Sequence, residues 1–358
     1  MSSMVQAIRM ALHVGETKLG VTDIFGEDVG APLGGVFTAT QGLETAWNTP
    51  LDERGIVGMA IGLALAGRKP VAEIQFCDYA FNTIDLLKLA GGTYWSTGGD
   101  WNLPLVVMTP VGAGIRGSIY HSHSFDAQAT RLPGWKVVIP STPRDAYGLL
   151  LSAIKDPNPV MYLAPKALLR SRSKRGEEIP GEPGDDRTLS KMIDAPLGDR
   201  SKWRPEWPSL EELYVPIGKA RVARPGADVT VLTYGRNVPM ALAAAEELAA
   251  GENGAARVDA EIVDLRSLHP YDWDAITESV RKTNRVLCVN EDTEITNFGE
   301  HLIRRVVEEL FYELHAPPRL LAGAHVPGIG LADALEHASV PQKDGIKRAI
   351  LELAQHQP

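Results

Sequence analysis

Two stretches of this sequence carry residue types that could do chemistry. The first is Asn48-Thr49-Pro50-Leu51-Asp52-Glu53-Arg54-Gly55-Ile56-Val57-Gly58. Glu53 stands at the start of a helix rich in Gly and Ala. An acid in a first helical turn offsets the helix dipole, and many proteins use it for nothing more. The alternative is a carboxyl buried under a tightly packed helix, its pKa raised, able to hold a proton for a ligand nitrogen. The residues alone leave both readings open. The second stretch is Gly112-Ala113-Gly114-Ile115-Arg116-Gly117, followed by Ser118-Ile119-Tyr120-His121-Ser122-His123-Ser124. Its first six residues spell GxGxxG, but a dinucleotide turn needs an apolar helix starting at the third glycine. Here Pro110 interrupts the strand exit and a polar run follows, so a flexible loop presenting the histidines is expected instead. His121 and His123 would share one face of an extended strand, as a metal pair could. Asp126 is the sole nearby support for a metal, so histidines bonded to loop neighbours are the plainer expectation. A glycine-flanked loop beyond a parallel strand is nonetheless where α/β folds put their chemistry. A histidine there can change charge near neutral pH.

The elements that must position these stretches alternate. Met4, Val5, Ile8, Ala11 and Leu12 recur at helical spacing and predict an amphipathic opening helix. Val71–Phe76, Leu105–Thr109, Lys136–Ile139 and Val160–Leu163 are short apolar runs of the kind buried strands use. Helices are expected at Arg54–Ala66, Phe81–Ala90 and Pro143–Ile154, the last with Thr142 as N-cap and Pro143 in its first turn. Downstream, Val229–Tyr234, Val258–Val263 and Arg285–Val289 read as strands, and Val238–Ala250 and Glu300–Leu314 as helices. This is the pattern of βαβ units with mainly parallel sheets flanked by helices. Between the halves, Ser171–Leu210 is dense in charge, rich in Pro and Gly and poor in apolar periodicity. It is expected to be a surface excursion rather than core.

The composition narrows the function classes. The 358 residues are 44% hydrophobic and 23% charged, the balance of a globular protein of about two domains. A formal net charge of -9 argues against binding a nucleic-acid backbone. No apolar run is long enough to span a bilayer, which argues against a membrane protein, and the N-terminal stretch does not read as a signal peptide. Cys77 and Cys288 form neither a disulfide framework nor a zinc cluster and suit a reducing cytoplasm.

Several segments, taken in order, resemble one family. They are Gly26-Glu27-Asp28-Val29, Asn48–Gly58, Ala72-Glu73-Ile74-Gln75-Phe76-Cys77-Asp78-Tyr79, Tyr120-His121-Ser122 and Lys136-Val137-Val138-Ile139-Pro140-Ser141-Thr142-Pro143. Val263-Asp264-Leu265-Arg266-Ser267-Leu268-His269-Pro270 continues the series. Together they resemble the β subunit of thiamine-diphosphate-dependent 2-oxo acid dehydrogenases. The stretches Phe76–Phe81 and Tyr120–Ser124 look more like the branched-chain enzymes than the pyruvate ones. The resemblance implies two transketolase-like domains: a pyrimidine-binding domain over 1–170, the connector over 171–210 and a C-terminal domain over 211–358. It also implies an α2β2 heterotetramer serving a lipoyl-bearing acyltransferase core. The family's diphosphate motif, Gly-Asp-Gly, does not occur in this sequence. That fits a β subunit whose α partner brings magnesium and diphosphate binding.

Carried over residue by residue, Glu53 matches the acid that hydrogen-bonds the aminopyrimidine N1′ of thiamine diphosphate, so that the cofactor can form its nucleophilic carbon. Leu51 and Tyr79 match residues packing on the pyrimidine, and Gln75 one lining the pocket. His121 matches the histidine implicated in passing the acyl group to a lipoyl arm. Leu105, Ala153, Ile154, Asp156 and Asn158 match a structural potassium site built mostly of carbonyl oxygens, ligands that suit a hard cation. The sequence departs from the family at Leu89–Ser96, which lacks the usual Lys and Arg, and in a shorter stretch between Gly42 and Asn48. It departs also in the long connector and at Ala324-His325-Val326-Pro327-Gly328. The expected function is oxidative decarboxylation of branched-chain 2-oxo acids. The rivals are the pyruvate-specific β subunit and a non-catalytic assembly subunit of the same fold, which would need neither Glu53 nor His121.

Overall fold

The computed structural model describes residues 1–35, 37–251 and 257–357. The chain divides into two compact units, Met1–Pro110 with Arg131–Ile217, and Val111–Thr130 with Gly218–Pro358. Both are α/β.

The first unit opens with α1 (Met4–Lys18), capped by a reciprocal Ser3–Gln6 pair. Strands β1 (Asp23–Gly26) and β2 (Ala46–Asn48) lead to α2 (Glu53–Leu65) and β3 (Pro70–Glu73). Next come α3 (Ile84–Ser96) and β4 (Val106–Val111); the short α4 (Asp126–Thr130) belongs to the second unit. The first unit resumes with β5 (Lys136–Val138), α5 (Pro143–Lys155), β6 (Val160–Pro165) and α6 (Asp186–Ile193). Its sheet runs in the order β5-β6-β4-β3-β1-β2, and β1 pairs in parallel with both β2 and β3. Strands β3, β4 and β6 are buried along their whole length, as parallel strands covered on both faces must be. Helix α5 begins where expected, because the Thr142 hydroxyl accepts the Asp145 N–H and Pro143 occupies the first turn. Leu149, Leu150 and Ile154 of α5 pack with Ile8, Ala11 and Leu12 of α1 in the core.

Three expectations need correction. Strand β4 does not stop at Thr109 but runs through Pro110 to Val111. Proline lacks only the donor, so it is tolerated where the ladder needs none. The helix expected at Phe81–Ala90 is present as α3 but starts at Ile84 and runs on to Ser96, its first three expected residues being the end of a 3-10 run, Cys77–Thr83. The connector is not an excursion outside the core. Ile179, Leu189 and Ile193 are fully buried in the first unit's core, and the indole of Trp207 stacks on His13 at 4.1 Å. Buried Arg9 ties it down: its Nη1 donates to the Ile193 carbonyl (2.6 Å) and to Asp194 Oδ1 (2.7 Å), while Nε and Nη2 donate to the Thr38 carbonyl. Charge density hid these few apolar anchors from a reading of periodicity.

The second unit holds β7 (Arg221–Arg224), β8 (Val229–Thr233), α7 (Asn237–Ala250), β9 (Ala260–Asp264) and a short β10 (Ser267–His269). They are followed by α8 (Trp273–Thr283), β11 (Val286–Thr293), α9 (Phe298–Leu310), β12 (Arg319–Gly323), α10 (Asp333–Ser339) and α11 (Lys343–Ala354). The sheet order is β12-β11-β8-β9-β7, parallel except for β7. Ala241, Ala244, Ala245 and Leu248 of α7 share its core with Ile346, Ile350 and Leu353 of α11. Helix α9 begins at Phe298, where the Asn297 side chain caps Glu300, and gives way to a 3-10 turn at Phe311. Among the described residues no helix is long and apolar enough to cross a membrane.

Candidate functional site

The sheet order of the first unit gathers the expected cofactor residues. Strands β3, β1 and β2 are parallel neighbours, so their carboxyl ends lie side by side. Glu27 and Asp28 follow β1, Leu51 and Glu53 follow β2, and Gln75 and Tyr79 follow β3. The end of a parallel sheet is where α/β folds bind ligands. The first two loops are tied together, since the Thr49 N–H donates to the Gly26 carbonyl (3.0 Å) and the Gly30 N–H to Asn48 Oδ1 (2.6 Å). Gly26 cannot carry a side chain, because a Cβ there would lie 2.3 Å from the Glu73 carbonyl oxygen.

Glu53 is the first residue of α2 and half-buried, with Asn82 Nδ2 at 3.4 Å from its Oε2. Tyr79, also half-buried, sits edge-on to Phe76 at 6.3 Å. Leu51 is 71% exposed, a large apolar side chain left open. Gln75 Nε2 reaches Asp28 Oδ2 at 3.5 Å. This donor set suits a planar aminopyrimidine: a carboxyl for a ring nitrogen, with an aromatic and an aliphatic side chain for its faces.

Of the two readings left open for Glu53, deep burial is not what the structure has; the deeply buried acid is elsewhere. Glu73, at the end of β3, is fully enclosed, and burial alone raises its carboxyl to about 8. Glu27 is also pushed up, by desolvation first and then by the charges of Asp28 and Glu53. Neither residue was assigned a role from sequence. The available signal was an acid inside the apolar run Val71–Phe76, where an ionised carboxylate would be costly.

His121 lies in the second unit, at the end of a 3-10 turn over Ser118–Tyr120 rather than in an extended strand. It and His123 are half-buried. Among the described residues no group of three or more His, Cys, Asp or Glu could hold a metal, so the histidine pair completes no such site. The loop is held rather than flexible. The Gly112 N–H donates to the His123 carbonyl (2.7 Å) and the Ala113 N–H to Glu291 Oε1 (2.7 Å). The N–H groups of Gly114 and Arg116 donate to the two carboxylate oxygens of Glu336, at 2.6 and 2.9 Å. The GxGxxG segment therefore forms an anion-binding nest filled by the protein's own carboxylates. At the far end of the loop, Tyr234 Oη donates to buried Asp126 (2.5 Å). Burial, then the charge of Asp292 and a hydrogen bond with it, push the Asp126 carboxyl well above the usual carboxylate range.

Known proteins share the fold and most of the length of this chain. Residues 2–172 match the family described as transketolase, pyrimidine binding domain, and residues 218–346 the transketolase, C-terminal domain. The chain is 36% identical to the 2-oxoisovalerate dehydrogenase subunit beta of Bacillus subtilis (strain 168), across 99% of this chain and 98% of that one. The chain belongs to the 2-oxo acid dehydrogenase E1 β-subunit family. Another member, the pyruvate dehydrogenase E1 component subunit beta of Acholeplasma laidlawii, is 34% identical over 99% of both chains. The fold is similar to that of a split gene transketolase solved as an inactive β4 tetramer, with a TM-score of 0.69, 19% identity and full coverage of both chains.

Two further regions of this E1 β-subunit family member bear on its expected sites. At the expected potassium position, the Leu105 carbonyl accepts the Val160 N–H (3.1 Å) and the Ala153 carbonyl the Asp156 N–H (3.3 Å). Ile154 is buried in the last turn of α5. The Asp156 carboxylate is already taken by Lys136 Nζ (2.5 and 2.7 Å) and by the Asn158 N–H (3.0 Å). Asn158 Oδ1 is buried without a hydrogen-bond partner, an oxygen that would suit a hard cation. Gly328, at the end of the departing segment Ala324–Gly328, lies against the histidine loop: a Cβ on it would come within 2.4 Å of Ile119 Cγ2.

Proposed function

We propose that this chain is the β subunit of a branched-chain 2-oxo acid dehydrogenase, active with an α subunit in an α2β2 assembly and serving a lipoyl-bearing acyltransferase core. The observation that carries the reading is the grouping of Glu53, Leu51, Gln75 and Tyr79 at the carboxyl ends of three adjacent parallel strands, in a chain with no Gly-Asp-Gly. It offers the pyrimidine half of a cofactor site without the diphosphate half. Thiamine diphosphate, when bound, would supply a nucleophilic carbon and an electron sink for decarboxylation. Glu53 holds a proton at the aminopyrimidine N1′, and Tyr79 and Leu51 fix the ring by packing. Gln75 lines the pocket, and His121 moves a proton as the acyl group passes to the lipoyl arm. The α subunit brings magnesium. Leu89, Tyr94 and Trp95 of α3, in the stretch that lacks the basic residues usual in the family, are exposed at 60%, 48% and 89%. Exposed large apolar side chains of this kind support partner contact. Cys77 and Cys288 are buried thiols, which fits the cytoplasm.

Calorimetry tests the divided site. Thiamine diphosphate with magnesium should bind well to the chain mixed with its α subunit and only weakly to the chain alone. Tight binding to the lone chain would refute the reading. Turnover of 2-oxoisovalerate against pyruvate by the pair separates the branched-chain enzyme from its pyruvate counterpart. Carbonyls of Leu105, Ala153, Ile154, Asp156 and Asn158 would hold potassium; a melting point indifferent to replacing potassium by tetramethylammonium would count against that site.

A further inference from the structure

The loop that carries His121 is fastened at both ends to consecutive residues of one strand end. Glu291 holds its start through the Ala113 N–H, and Asp292 holds its finish through the Ala127 N–H (3.2 Å) and through Asp126. Glu336 of α10, only 4% exposed, adds bonds to the N–H groups of Gly114 and Arg116. The Arg116 guanidinium reaches Asp333 of the same helix (2.5 Å), and Arg236 stands 3.6 Å from Glu291. Gly112 favours glycine because its φ is 86°, and a Cβ there would also lie 2.6 Å from Glu291 Oε2. Within the loop Arg116, Ser118 and Phe125 adopt positive φ (58°, 54° and 62°) without being glycine. Such backbone persists only where the surroundings over-determine it.

We infer that Glu291 and Glu336 are positioning residues for His121. Their carboxylates fill the N–H nest at Gly112–Gly117 and fix the turn from which the histidine projects. The inference rests on the acyl-transfer role proposed for His121. Carboxylates serve here because Glu336 accepts charge-assisted bonds from two N–H groups and Glu291 accepts one with Arg236 close by, which an apolar residue or a water cannot match in so enclosed a place. A histidine displaced by about an ångström loses much of its value for proton transfer.

The test uses the assembled enzyme with α subunit, thiamine diphosphate and a free lipoyl domain. Glu336→Ala should speed hydrogen exchange across residues 112–125 by about tenfold or more at an unchanged melting point. It should lower kcat for lipoyl acylation by about tenfold or more at constant KM, and add nothing in a His121→Ala background. Glu336→Gln keeps the volume and one acceptor, and should give a smaller shift of the same kind should the alanine variant fail to fold. Unchanged loop exchange, or a loss fully additive with His121→Ala, overturns the inference. If His121→Ala alone leaves acyl transfer intact, the role given to His121 under the proposed function falls instead, and the exchange result still judges the clamp.

Discussion

Glu73 offers the sharpest quantitative prediction. Its carboxyl is enclosed at the end of β3, and burial raises it from an ordinary 4.5 to about 8. The unfolded chain gives up this proton near pH 4.5, whereas the folded chain keeps it until about 8. Between those values the native state binds the extra proton, so stability must fall as pH rises, by up to about 1.4 kcal/mol per pH unit. By pH 7 the accumulated cost is about 3 kcal/mol, and above pH 8 it levels off. Glutamine has nearly the volume of a protonated glutamic acid and cannot ionise. Glu73→Gln should therefore match the parent near pH 5 and exceed it by about 3 kcal/mol at pH 7. Urea unfolding at pH values from about 5 to about 8.5 gives the comparison directly. A difference between the two proteins that stays constant across that range would show that Glu73 is not held neutral by burial.

Glu53→Gln retains a hydrogen bond but cannot exchange a proton, so decarboxylation with an artificial electron acceptor should drop by about 10² to 10⁴-fold. An unchanged rate at a normal melting point would reduce Glu53 to a helix-capping charge. For the connector, Leu189→Ala should cost about 2–5 kcal/mol, as a buried leucine does; a loss under about 1 kcal/mol, measured by chemical unfolding, contradicts its place in the core. Limited proteolysis should cut first near Leu197, which is 98% exposed, and spare α6; equal cleavage in α6 would restore the excursion reading.

Sequence by itself determined the alternation of strands and helices, because the signals are local. Buried parallel strands are continuous apolar runs, and the Thr142-Pro143 start of α5 satisfies its own first turn. It also placed Glu53 at a helix start, since the first-turn position depends only on its neighbours in the chain. Tertiary structure decided what those residues meet. The GxGxxG segment spells a dinucleotide turn, yet its N–H groups are filled by Glu291 and Glu336, 178 and 222 residues further on. Ile193 sits in a segment dominated by charge and is buried because it joins the core with Ile8 and Leu12 of α1, where Arg9 also reaches its carbonyl. Glu73 becomes a neutral acid because β3 lies between two other buried strands. Burial and hydrogen-bond partners come from residues distant in the chain, and local periodicity carries no record of them.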